Sequence, residues 1–236
     1  HSDRKTLLPT SGADTVSIAD LNQDDKLDLV ISNNQNNQGN REINSYIYWG
    51  TSSVDSEGYP AYGTTSRTEL ATQGATYNTV DDIDGDGWQD ILFSNFRDGD
   101  NDSADYEIDS IIYWGSQSGF SGTDTTSLAT KGANGCNIAD LDKDGYKDIV
   151  FSQARSNASN NVNAIIYWGY ADTSPSATHG TAFSNSQSVE LPTSGSTDNA
   201  IEDLNGDTWP DIVLTNLIDD STYIYWNTEG TFSTGN

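Results

Sequence analysis

The sequence lacks most of what usually cross-links a fold or arms an active site. It has one cysteine, Cys136, so no disulfide can form within the chain. Its two histidines, His1 and His179, belong to no repeat and stand beside no nucleophile, which argues against triad-type catalysis. Basic residues number only 10 against 36 acidic ones, a net charge of −26. That balance excludes nucleic acid and anionic membrane surfaces as natural partners. The five lysines and five arginines form no cluster along the chain. No apolar run approaches the ~20 residues of a membrane span, so membrane insertion is not expected. No secretory leader is visible, so the compartment has to be argued from chemistry.

What the chain does have is aromatic and β-branched. Six Trp, twelve Tyr and many Ile and Val rule out a disordered acidic tail. A chain of 236 residues can bury roughly 70% of its unfolded surface. We read it as one domain over residues 1–236.

That domain is built from internal repeats. "ADLNQDDKLDLVISN" begins at Ala19, "DDIDGDGWQDILFSN" at Asp81, "ADLDKDGYKDIVFSQ" at Ala139 and "EDLNGDTWPDIVLTN" at Glu202. "YIYWG", "IIYWG", "IIYWG" and "YIYWN" follow in phase, ending at Gly50, Gly115, Gly169 and Asn227. A fourth segment precedes each acidic loop, as in "KTLLPTSGA" from Lys5 and "RTELATQGA" from Arg67. The repeat units run approximately 4–62, 63–122, 123–185 and 186–236. Each holds four strand-like segments, D, A, B and C in chain order, and none shows a helical period.

Four antiparallel strands repeated at this length predict an all-β fold, a β-propeller of four four-stranded blades. The N-terminal "KTLLPT" would pair with the C strand ending at Trp226 and close the ring; the alternative is an arc of a larger propeller. The B triads "LVI", "ILF", "IVF" and "IVL" read as buried on both faces, and Ile18, Val80, Ile138 and Ile201 as core positions of A.

The acidic loops follow Asp-x-Asp/Asn-x-Asp-x-x-x-Asp. Their side-chain ligands would be Asp20, Asn22, Asp24 and Asp28; Asp82, Asp84, Asp86 and Asp90; Asp140, Asp142, Asp144 and Asp148; and Asp203, Asn205, Asp207 and Asp211. Position seven (Lys26, Trp88, Tyr146 or Trp209) would add a backbone carbonyl. Oxygen ligands without His or Cys select a hard cation, and a flexible loop of this kind suits Ca²⁺ over Mg²⁺. Up to four Ca²⁺ ions are expected, one per repeat. Position twelve is Ile31, Phe93, Phe151 or Leu214, so the loop is not an EF-hand. Position six demands a left-handed residue, easy for Gly87 and Gly145, tolerable for Asp25, and costly for β-branched Thr208. The second and third loops are therefore the strongest sites and the fourth the weakest.

These repeats resemble the FG-GAP and VCBS-type calcium-binding propeller repeats found in integrin α-subunits and several lectins. The resemblance is carried by the four acidic loops and the apolar strand behind each. The "FG" and "GAP" landmarks are replaced, the latter by "SNN", "SNF", "SQA" and "TNL". The family implies calcium in the loops and an extracellular or cell-surface setting.

The B–C loops, on the face opposite the acidic loops, are long and polar, and binding residues usually sit on such loops. Arg41, Arg97, Arg155 and Asn157 are the candidate ligand-binding residues, for a glycan or an extracellular protein. Asp98, Asp100, Asp102 and Asp105 form a further acidic set in the second of these loops. The function expected is a non-enzymatic, monomeric, calcium-binding recognition module, carbohydrate-binding or adhesive. The alternatives are a structural spacer or a polysaccharide-processing enzyme.

Overall fold

The computed structural model describes residues 5–55, 58–99, 104–175 and 177–233. Asp100 and Asp102 lie outside the described residues.

Sheet one orders β1 (Ala13–Ala19), β2 (Asp28–Asn33), β3 (Glu42–Tyr48) and β4 (Arg67–Gln73) as neighbours. Sheet two repeats this with β5 (Ala75–Asp81), β6 (Asp90–Asn95), β7 (Asp109–Tyr113) and β8 (Thr125–Ala129). Sheet three has β9 (Ala133–Ala139), β10 (Asp148–Gln153) and β11 (Ala164–Tyr167). A small hairpin follows, β12 (Tyr170–Ala171) with β13 (Thr181–Ala182), before the outer strand β14 (Ser188–Leu191). Sheet four has three strands, β15 (Ser196–Glu202), β16 (Asp211–Asn216) and β17 (Thr222–Tyr225). A last hairpin pairs β18 (Asn227–Thr228) with β19 (Thr231–Phe232). All pairings are antiparallel, so the chain is all-β. Among the described residues no helix is long and apolar enough to cross a membrane.

Sheets one to three each take their outer strand from the following repeat unit: Arg67–Gln73 completes the sheet that Ala13–Tyr48 begins. Neighbouring units are thereby joined by backbone hydrogen bonds as well as by packing.

Three apolar cores lie between successive sheets. Val30 and Ile47 of sheet one meet Ile91 and Phe93 of sheet two. Leu92 and Ile112 of sheet two meet Ile149 and Phe151 of sheet three. Val150 and Ile166 of sheet three meet Ile212 and Leu214 of sheet four. The B strands need unbroken apolar triads because the two inner ones, β6 and β10, are buried along their whole length. Polar inner-strand contacts run the same way: Asn78 donates to Ser32 Oγ at 2.7 Å and Asn199 to Ser152 Oγ at 2.9 Å.

Among the described residues the two ends of the stack are not joined by a strand pairing. Residues 5–10 form no strand, and β17 has no fourth strand beside it among the described residues. Val80, Ile138 and Ile201 pack against the cores, but Ile18 is a correction: it is 60% exposed, as is Val16 at 54%. The position is interior only where another sheet packs on it, and sheet one ends the stack. Tryptophans at the C-strand ends follow the same logic. Trp49 stacks near Phe120, Trp114 on His179 and Trp168 near Phe232, each pair reaching from one sheet to the next. Trp226, at the far end, is 50% exposed.

Residues 5–10 nonetheless hold a repeated place. The Tyr48 hydroxyl donates to the Pro9 carbonyl, as Tyr113 does to Ala71, Tyr167 to Ala129 and Tyr225 to Pro192. Three of these acceptors belong to, or directly follow, the outer strand of the preceding sheet.

Candidate metal centres and the opposite loop face

All four acidic loops fold alike. Position six is left-handed in each, with φ of 64° at Asp25, 93° at Gly87, 94° at Gly145 and 78° at Thr208. Position four is left-handed too (Gln23, Gly85, Lys143 and Gly206), which the spacing of acids did not reveal. These turns let side-chain oxygens collect backbone N–H groups. The position-one carboxylate accepts from position six: Asp20 from Asp25 at 2.9 Å, Asp82 from Gly87 at 3.0 Å, Asp140 from Gly145 at 3.1 Å and Asp203 from Thr208 at 2.8 Å. Asn22, Asp84, Asp142 and Asn205 each accept from position five, and Asp24, Asp86, Asp144 and Asp207 from Lys26, Trp88, Tyr146 and Trp209.

The loops also touch one another. Gln23 Nε2 donates to the Gly87 carbonyl at 2.7 Å, and Lys143 Nζ to Thr208 Oγ1 at 2.6 Å. The Lys143 ammonium lies 4.2 Å from the centre of the Trp209 ring, so that tryptophan carries a cation on its face.

Position nine does more than its place in the spacing suggested. Asp28, Asp90, Asp148 and Asp211 are buried, and each carboxylate accepts two backbone N–H groups from different segments. Asp90 takes Ile83 at 2.8 Å and Gly115 at 2.7 Å; Asp148 takes Leu141 at 2.7 Å and Gly169 at 2.9 Å. Asp28 binds Leu21 and Gly50, and Asp211 binds Leu204 and Asn227, in the same way. One side chain thus ties the acidic loop, the start of the B strand and the end of the C strand together. Burial pushes the Asp90 and Asp148 carboxyls up to about 7, against the opposing pull of those two bonds. Asp28 is raised for the same reason.

The glycine after "YW" serves this tie. A Cβ at Gly115 would stand 2.1 Å from the Gln89 carbonyl oxygen, and one at Gly169 2.2 Å from that of Lys147. In the fourth repeat Asn227 takes the place, and its side chain donates to the Pro210 carbonyl at 3.0 Å.

Among the described residues two sets of carboxylates converge closely enough to share a metal ion: Asp82, Asp84 and Asp86, and Asp140, Asp142 and Asp148, with ligand oxygens within 4.8 Å of one another. These are the two loops with glycine at position six. In the third loop Asp140 Oδ1 is buried and makes no hydrogen bond, an oxygen lone pair with nothing to neutralise it. An all-oxygen set with an unsatisfied buried carboxylate oxygen fits a hard cation. Asn22 and Asn205 give the first and fourth loops a neutral oxygen and one negative charge fewer.

At the opposite loop face the structure gathers residues that lie far apart in sequence. The Tyr106 backbone N–H donates to Asn157 Oδ1 at 2.8 Å, and Asn157 Nδ2 donates to Asp105 at 2.7 Å. The Arg155 guanidinium lies 4.5 Å and that of Arg97 5.8 Å from the centre of the Tyr106 ring, and Arg97 donates to the Tyr106 hydroxyl at 3.3 Å. Arg41 borders the same group, and burial, then the nearby Arg97 charge, lowers its pKa. Two arginines therefore meet on one tyrosine with a third, Arg41, beside them, a cluster that no stretch of sequence shows.

Successive antiparallel sheets, each with an acidic loop leading into its second strand, define a repeat protein with clusters able to hold metal ions. Residues 82–151, which span the second and third loops and the strands β6 to β9 between them, match the FG-GAP-like repeat family. No curated protein matches the chain.

Proposed function

We propose that the chain is an extracellular, calcium-stabilised propeller module that recognises a ligand rather than transforming one. The carrying observation is the division of labour between its two faces. Four acidic loops share one conformation at one end of the sheets. At the other end Arg97, Arg155 and Asn157 gather around Tyr106, Arg155 and Asn157 exposed and Arg97 buried, with Arg41 beside Arg97. Guanidinium and amide groups on a rigid sheet scaffold suit the hydroxyls and carboxylates of a glycan or of a surface protein. The ions hold the scaffold and contact no partner. Loops of this open kind match the calcium concentrations found outside cells. The monomer would work there as a carbohydrate-binding or adhesive unit. A glycan array probed with calcium and with chelator tests this: binding to one sugar class, lost on chelation, is expected. Silence on glycans and on extracellular proteins would leave the spacer reading.

In this proposal the sheets are blades, and residues 5–10 would become the fourth strand of the fourth blade only where the two open ends of the stack, sheet one with its exposed Ile18 and the unpaired β17, come together. The repeated tyrosine-to-carbonyl bond supports it, since Pro9 sits where the outer strand of a preceding blade places its acceptor. Hydrogen exchange decides the matter. Closure predicts slow exchange at the outward amides of Thr222–Tyr225 in dilute protein; fast exchange there means an open arc awaiting further blades.

A further inference from the structure

We infer that His179 is a positioning residue for the second acidic loop: it orients the Asp84 carboxylate toward the bound cation and straps the third sheet onto that site. The inference rests on the reading of the loops as calcium sites.

His179 arrives from the turn between β12 and β13, a hairpin inserted before the outer strand of sheet three. Its Nδ1 lies 3.0 Å from Asp84 Oδ2 and its Nε2 2.9 Å from Asp124 Oδ1. The ring stacks on Trp114, centroids 4.3 Å apart at 16° between planes, which fixes its orientation. The following residue is flush with the loop: a Cβ at Gly180 would stand 2.4 Å from the Asp84 carbonyl oxygen.

Asp84 is thus held from two sides, Oδ1 by the Asp86 N–H at 3.1 Å and Oδ2 by the imidazole in the form that carries its proton on Nδ1. Its side chain is almost fully buried beneath the histidine. A carboxylate oxygen has two lone pairs, so each oxygen keeps one for a cation. The equivalent residue of the third loop, Asp142, is approached from the next sheet by backbone alone, at Gly230 of the last hairpin. Among the described residues only the second loop has a side chain from the following sheet on its position-three ligand. Partners that hold a ligand from behind govern metal affinity, and losing one costs about 10–100-fold.

The test is a calcium titration of ¹⁵N-labelled protein that follows two amides separately. Gly87 and Gly145 donate to the position-one carboxylates of loops two and three. In His179→Ala the Gly87 midpoint is expected to rise about 10–100-fold while Gly145 stays at the wild-type value. His179→Gln, which keeps a donor toward Asp84, should recover part of the loss, and it decides the matter if the alanine variant does not fold. A Gly87 midpoint within about twofold of wild type would overturn the positioning role, as would equal weakening of both loops. If neither amide of the wild-type protein responds to calcium, the calcium reading falls first and this inference with it.

Discussion

Asp148→Ala will cost the protein about 2–6 kcal/mol, because it strands two buried N–H groups at about 1–3 kcal/mol each. The total stability of a domain is about 5–15 kcal/mol, so the variant will be partly unfolded at room temperature or close to it. Measured by urea denaturation in chelator, this loss belongs to the backbone tie and not to metal ligation. Asn is no remedy in Asp148→Asn, since its amide would present a donor to one of the two donors now satisfied. The exposed Asp14, whose carboxylate accepts from the Asn34 amide, provides the comparison: Asp14→Ala should cost under about 0.5 kcal/mol. A loss under about 1 kcal/mol for Asp148→Ala would show that the two N–H groups find other partners and that the aspartate is not the clasp of its sheet.

This clasp also marks the boundary of what the sequence discloses. The loop was legible in detail: alternate acids, a left-handed sixth residue even where it is Thr208, and an apolar strand directly after. Those features are local, and local geometry follows from local chemistry. The second duty of Asp90 was not legible in the same way, because its partner Gly115 lies at the end of another strand. A signal did exist, namely a glycine after "YW" in phase with the loops in three repeats. In those three the close carbonyl, Gln89 in the second repeat, leaves no room for a Cβ. Ile18 shows the complementary failure. It matches Val80 in register, yet burial depends on whether a neighbouring sheet exists, and the pattern of one strand cannot count sheets. The arginine cluster and the His179 strap come from loops tens of residues apart, where sequence offers no period to follow.

Metal-free protein will lose stability as pH rises from about 4 to about 7, opposite to the usual behaviour of an acid-sensitive domain. The sign follows from burial. Asp90 and Asp148 titrate at about 7 in the folded chain, above their ordinary value of 3.8. Between those limits the folded state retains protons that the unfolded state has already released, so stability is full below the window and declines through it. The penalty approaches roughly 4 kcal/mol per site, since every tenfold preference of the folded state for the protonated acid is worth about 1.4 kcal/mol. A fall in melting temperature of about 10 °C or more is therefore expected in chelator. A cation at the loop reverses the balance, because it binds the ionised carboxylates and stabilises the only state that assembles them. Calcium affinity should accordingly increase with pH across the same window, with protons released on binding. Thermal melts in calcium and in chelator over that range check both halves. A melting temperature that rises with pH in chelator, or one that ignores calcium at every pH, would mean that these buried acids are ionised without help. Electrostatically, the acidic loop is then a site whose folded form is incomplete until its charge is met: the twin backbone bonds hold Asp90 and Asp148 in place, and the ion determines whether they can stay charged there.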